Sequence, residues 1–190
     1  NRMSDSARAV IAATPDLTLC EIAPTALRGS REHGYYLDAL ARRALDAGVS
    51  HICTLDVDSF PVRDDWVRVT VDALPEASAL AGVLRSENGD FALPHPSATM
   101  AHRSFFDRFR PSFSPDSDGS AEFRRFLRRT GQRADTGIRL GQILWAQDLE
   151  WARLLRTNAL DLHYLMGGIY ADTFFHLGGI GRGKVFRRDL

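Results

Sequence analysis

Several features that would mark a protein class are scarce in this chain of 190 residues. It has no net charge, because 24 Lys and Arg balance 24 Asp and Glu, and so it lacks the basic excess of tight nucleic-acid binders. Its only cysteines, Cys20 and Cys53, are too few for the disulfide framework of a small secreted scaffold. No apolar stretch approaches the roughly 20 residues of a membrane-spanning helix. We expect a cytoplasmic protein that meets a membrane, if at all, only peripherally.

The composition is otherwise that of one folded domain. Apolar residues make up 44% and charged residues 25%, which excludes wholesale disorder and fibrous repeats. The length fits a single domain with its own core, and residues 1–190 are treated as that domain. The opening residues resemble a loop that follows a strand, so we expect an N-terminal strand to be missing.

Alternating helix and strand patterns predict an α/β fold. Apolar spacing predicts a helix over residues 30–48, and the run at 51–55 predicts a strand buried on both faces of a parallel sheet. A second helix is expected from Asp64 or Asp65 to about residue 72, and a second strand over 77–84. This order favours a sandwich of helices around a mostly parallel sheet.

The later part of the chain is less regular. Residues 113–120 predict a mobile loop that can cover a ligand, because Pro, Gly, Ser and Asp are mixed there. A helix is expected to start at Asp135, and short strands are expected over 151–156 and 168–175.

Two carboxylates, Asp56 and Asp58, follow the predicted strand at 51–55. In α/β sheets, ligands bind at the carboxyl ends of the strands. Residues two apart on an extended chain point the same way, so both side chains can face one crevice, where a divalent cation would offset their repulsion. The competing interpretation is a strand-end turn or helix cap.

The strand ending in D-x-D resembles glycosyltransferases of the GT-A fold, in particular family 2-like enzymes. The segment at residues 1–5 is similar to a loop after the family's second strand, and residues 169–176 are similar to a C-terminal strand ending in a metal-binding His. The resemblance implies a GT-A-like three-layer sandwich with a mostly parallel central sheet. It also implies a chain that lacks the family's first strand.

The resemblance implies a metal site for Mn2+ or Mg2+. Asp56 would touch the ribose or the metal, Asp58 would hold the metal that bridges the two donor phosphates, and His176 would be a further ligand. Alternatively, His176 is a histidine packed in the core between Phe175 and Leu177.

The resemblance also implies residues that bind the donor and activate the acceptor. Ser30 and His33 would lie along the nucleotide-sugar at a helix start. Separately, the glycine-rich run at 178–183 resembles a phosphate-cradling loop in which Arg182 would grip the pyrophosphate, and a flexible turn explains the glycines equally. Asp135 is the candidate catalytic base, and the competing interpretation is an ordinary helix N-cap. Glu122 and Asp148 are the alternative bases. The remaining histidines, His95 among them, are expected to be surface or capping residues.

The sequence therefore predicts a glycosyltransferase that moves a sugar from a nucleotide-diphosphate sugar to a hydroxyl acceptor, which can be a saccharide, a lipid or a small molecule. A second hypothesis is a non-catalytic or incomplete nucleotide-sugar-binding domain. A third is a phosphatase of the haloacid dehalogenase type, whose strand also ends in D-x-D. That class needs a downstream Lys followed by an acidic pair, whereas Lys184 is the only Lys and only Asp189 follows it.

Overall fold

A computed structural model describes residues 3–116, 120–158 and 167–177. The described helices are α1 (Asp5–Ala13), α2 (Ser30–Asp46), α3 (Trp66–Asp72), α4 (Arg103–Phe109), α5 (Ala121–Thr130) and α6 (Ile138–Ala146). The described strands are β1 (His51–Leu55), β2 (Ser59–Pro61), β3 (Leu80–Val83), β4 (His95–His102), β5 (Ala152–Leu154), β6 (Gly168–Tyr170) and β7 (Phe174–His176). In these ranges no helix is both long and apolar enough to cross a membrane.

The main sheet contains four strands in the order β1-β4-β3-β5. Strand β4 pairs antiparallel with both β1 and β3, and β5 pairs parallel with β3. Strands β1, β3 and β5 therefore run in one direction, and β4 runs against them. A second, three-stranded sheet has the order β2-β7-β6 and is antiparallel throughout.

The predicted α/β class is confirmed, but the predicted mostly parallel sheet is wrong for the described residues. Strand β4 was not expected, and its insertion between β1 and β3 turns two of the three pairings of the main sheet antiparallel. Strand β1 is also not buried on both faces. Only Ile52 and Thr54 of this strand are buried, as in a strand with one covered face.

Helix α2 confirms the expected helix at 30–48. It turns Leu37 and Ala41 toward the core and ends shortly before Gly48, whose φ of 79° suits a residue without a side chain. The helix expected before residue 72 is confirmed as α3. Strand β3 is shorter than the expected strand at 77–84.

The remaining expectations are met in part. Residues 113–116 form no helix or strand, and 117–119 lie outside the described residues. The helix expected at Asp135 begins only at residue 138. The expected strand at 151–156 is shorter, and the one at 168–175 is two strands, β6 and β7, that pair as a hairpin.

The main sheet is covered on both faces. One face packs against α2, α4 and α6, and this core cluster includes Leu37, Leu80, Phe105 and Leu140. The other face buries Val83, Ala98 and Leu154 against Tyr170 and Phe174 of the small sheet. The hairpin that carries His176 is therefore packed onto the main sheet and does not project from it.

We expect Leu80→Ala to lower the free energy of unfolding by about 2–5 kcal/mol, because Leu80 is fully buried in β3 and its truncation leaves a cavity. The matched control is Leu40→Ala on the exposed side of α2, where a change within about 0.5 kcal/mol is expected. Urea unfolding of both variants measures the difference. Equal losses in the two variants would contradict this description of the core.

Candidate functional site

The candidate site lies at the edge of the main sheet where β1, β3 and β5 end. Asp56 and Asp58 follow β1, while β4 runs in reverse and begins at this same edge with His95. Val83, the last residue of β3, pairs with His95, so the start of β4 lies beside the end of β3. This is the edge at which ligands bind in α/β sheets.

The small sheet brings His176 to the same place. The Ser59 N–H donates to the Asp56 carbonyl at 3.0 Å and closes a turn between β1 and β2. Strand β2 then pairs with β7 so that Ser59 lies opposite His176. The Leu177 N–H donates to the Asp58 carbonyl at 2.9 Å, which continues the pairing beyond β7. The D-x-D turn and the C-terminal hairpin are thus joined by backbone hydrogen bonds.

Asp56, His95 and His176 form a potential metal-binding cluster. Each offers one ligand atom, and these atoms all lie within 4.8 Å of one another. Asp58 lies beside this group, with its Oδ1 3.8 Å from Nε2 of His176. Three of these four residues are the metal ligands expected from the sequence.

The carboxylate of Asp56 fits a cation ligand. Its Oδ1 is buried and accepts no well-aligned hydrogen bond from the described residues. A buried, incompletely bonded carboxylate oxygen is costly unless a charge compensates it. Nε2 of His33 lies 3.1 Å from this oxygen, and the interaction with Asp56 raises the pKa of His33 above its ordinary value, against the opposing effect of burial.

His95 is the member of the potential metal-binding cluster that sequence reasoning missed. It was expected at the surface or in a cap, but only 8% of it is exposed. Its Nδ1 accepts from the Ser97 N–H at 3.2 Å and lies 2.9 Å from Oγ of Ser97, so Nε2 is the ring nitrogen turned away from this turn. Binding of a cation at Nε2 would require the ring proton to sit on Nδ1 and to be donated to Oγ of Ser97. Burial, with Arg85 and His176 nearby, holds the pKa of His95 well below its ordinary value, so the imidazole is neutral, as a metal ligand must be.

The segment that leads to His95 is held from two sides. Helix α6 packs so closely on it that a Cβ on Gly141 would meet the carbonyl oxygen of Ala92 at 1.9 Å. On the other side, the buried carboxylate of Asp90 accepts from Nε of Arg85 at 2.8 Å and from Nε2 of Gln132 at 2.9 Å. His95 therefore begins β4 from an anchored loop.

Ser30, His33 and Asp135 form a second group beside the cluster. The Ser30 hydroxyl donates to Oδ1 of Asp135 at 2.6 Å, and the Thr136 N–H donates to the same oxygen at 2.8 Å. The negative charges of Asp135 and Asp58 both add to the raised pKa of His33. Asp135 is not the N-cap of α6, since Gly137 occupies that position.

Several predicted residues fall elsewhere. Arg182 and the glycine-rich run at 178–183 lie outside the described residues, as do residues 1 and 2; Asp5 begins α1. Of the alternative bases, Glu122 lines a separate cavity with Arg125 and Trp145, and Asp148 follows the C-terminal end of α6. A larger cavity of about 730 Å³ between α2 and α4 contains none of the predicted site residues.

Comparisons with protein-family models, curated proteins and solved structures find no match.

We expect the cluster to bind Mn2+. His95→Ala and His176→Ala should each weaken this binding by more than the roughly 10–100-fold that is typical when a residue hydrogen-bonded to a metal ligand is lost, because each removes a direct ligand. Electron paramagnetic resonance of free Mn2+ during a titration measures the affinity. The control is His51→Ala, because His51 begins β1 at the opposite edge of the sheet. Wild-type affinity in His95→Ala would remove His95 from the ligand set.

Proposed function

We propose that the chain is a metal-dependent glycosyltransferase with a GT-A-like, family 2-like fold. In this proposal it moves a sugar from a nucleotide-diphosphate sugar to a hydroxyl acceptor. The observation that carries the proposal is the convergence of Asp56, His95 and His176 within 4.8 Å, with Asp58 beside them, where a strand ends in D-x-D. A cation site at the carboxyl edge of an α/β sheet suits a ligand that carries two phosphates.

The cluster would hold the cation through one carboxylate and two imidazoles, with Asp58 as a further ligand or as the contact to donor-bound water. The cation supplies Lewis acidity that stabilises negative charge on the leaving nucleoside diphosphate. Of the two expected cations, the donor set favours Mn2+ over Mg2+, because imidazole nitrogen is a poor ligand for Mg2+.

Ser30 and His33 would bind the donor beside this cation. Both lie in the first turn of α2, a helix of 17 residues whose N-terminus favours negative charge. The side chain of His33 reaches Asp56, so it lies between the helix start and the cluster. A phosphate oxygen bound there would face backbone N–H groups and an imidazole. Arg182 is proposed as a further phosphate contact because its glycine-rich run resembles a phosphate-cradling loop.

Asp135 is proposed as the base that takes the proton of the acceptor hydroxyl. Its carboxylate is held by Ser30 and Thr136 and lies close enough to His33 for their charges to interact. An oriented carboxylate beside the donor site is what this step requires. The geometry supports Asp135 over Glu122, which lies in α5, and over Asp148, which follows α6.

We expect UDP or GDP to bind the wild-type protein only with Mn2+ present, and Asp58→Ala to weaken that binding at least about tenfold, because one cation ligand is lost. Isothermal titration calorimetry measures both. The matched control is Asp46→Ala, which removes an exposed carboxylate at the opposite end of α2. Equal binding with and without Mn2+, or full affinity in Asp58→Ala, would contradict the proposal.

We expect Asp135→Asn to keep nucleotide binding while lowering sugar transfer by about 10²–10⁴-fold, because only proton removal is lost. Release of nucleoside diphosphate from a panel of UDP- and GDP-sugars, with saccharide acceptors, measures transfer. Metal-dependent binding with no transfer by the wild type would favour the alternative of a non-catalytic nucleotide-sugar-binding domain.

A further inference from the structure

A second polar pocket opens where β3 and β5 end, next to the metal-binding cluster. It has a volume of about 340 Å³ and is lined by Ser86, Glu87, Arg156 and Asn158. Ser86 and Glu87 follow β3, and Arg156 and Asn158 follow β5, so the lining comes from two parallel neighbouring strands.

Glu87 is the unusual residue of this pocket. Its side chain is only 7% exposed, although it carries a carboxylate. Oε1 accepts a hydrogen bond from the Tyr170 hydroxyl and lies 3.9 Å from Nη1 of Arg156. Oε2 is buried and accepts no hydrogen bond from the described residues. One oxygen therefore anchors the carboxylate, and the other, although closed to solvent, is a buried acceptor that lacks a donor among the described residues.

The walls of the pocket are held in place before any ligand arrives. Oδ1 of Asn158 accepts from Nε of Arg156 at 3.0 Å and from the Ile169 N–H at 2.8 Å. Nδ2 of Asn158 donates to the Gly167 carbonyl at 2.8 Å. Arg156 and Tyr170 are also joined as a β-bridge. Such preorganisation lowers the entropic cost of binding a small ligand.

The pocket also has a fixed relation to the metal-binding cluster. Val83, three residues before Ser86, pairs with His95. Tyr170 belongs to β6, whose partner β7 ends at His176. A ligand that contacts the cluster can therefore extend toward Glu87, since the same two strand pairings support both places.

The lining selects the chemistry of the ligand. The Glu87 carboxylate disfavours an anion, and the Arg156 guanidinium disfavours a simple cation. A neutral ligand with several hydroxyl groups suits both side chains, because a hydroxyl donates to a carboxylate and accepts from a guanidinium. The volume lies at the small end of ligand pockets and suits a single ring.

We propose that this pocket binds a sugar ring, with a ring hydroxyl donating to Oε2 of Glu87. The inference rests on the proposed function and adds a sugar-recognition residue to it. Two sources offer this chemistry, namely the sugar of the nucleotide donor and a saccharide acceptor. Both present the same hydroxyl groups, so the experiment must separate them.

Saturation-transfer difference NMR of the metal-free protein with glucose, galactose, mannose and N-acetylglucosamine tests the pocket without the nucleotide. We expect ring-proton signals from at least one sugar in the wild type. Glu87→Gln should weaken that binding at least about tenfold, because it removes the charged acceptor while keeping the shape. Ser86→Trp, at an exposed position on the pocket rim, should abolish it by filling the opening. The control is Glu76→Gln, an exposed Glu that precedes β3 at the opposite edge of the sheet.

The outcomes distinguish failure of the proposed sugar pocket from failure of the proposed metal-dependent nucleotide site. Glu87-dependent sugar signals that persist in Asp58→Ala support the pocket whether or not nucleotides bind. Absence of sugar signals in the wild type, or signals unchanged in both pocket variants, overturns it even if nucleotide binding needs Mn2+. With diamagnetic Mg2+ present, displacement of the free sugar by the UDP- or GDP-sugar assigns the pocket to the donor. Simultaneous binding of the two assigns it to a saccharide acceptor.

Discussion

The pairing of β4 with β1 on one side and β3 on the other is the interaction on which the site depends. Because β4 runs against its neighbours, its first residue lies where theirs end, and His95 is thereby brought to the D-x-D turn. A parallel strand in this position would have carried its first residue to the opposite edge. Each backbone group that pairs in this strand also avoids the cost of an unsatisfied buried N–H or C=O.

The site gathers two carboxylates and three imidazoles into a small, largely buried volume. The Asp56 and Asp58 carboxylates face the imidazoles of His33, His95 and His176. Burial lowers the pKa of His95 and His176, whereas contact with Asp56 raises that of His33. The three histidines therefore differ in the charge they favour, and the two with lowered pKa belong to the potential metal-binding cluster. Neutral imidazoles beside a carboxylate are the donor set that a transition cation prefers.

The loop between β3 and β4 connects the cluster with the Glu87 pocket. It begins at Leu84 and reaches His95, and it is anchored inside by Arg85, Asp90 and Gln132. Glu87 faces the pocket from one end of this loop, and His95 contributes to the cluster from the other. A rearrangement of the loop would change both places together, so the proposed cation site and the proposed sugar pocket share one structural support.

The sequence by itself determined the helix α2, the strand β1 and the position of Asp56 and Asp58 after it, because hydrophobic periodicity and strand-end chemistry are local properties. His176 followed from a resemblance at the end of an apolar segment. Strand β4 was not predicted, since Pro94 and Pro96 flank His95 and prolines weaken a strand pattern. The tertiary structure alone decided that His95 and Glu87 face the site, because both lie there through pairing between strands distant in sequence, and no local pattern records which strands become neighbours.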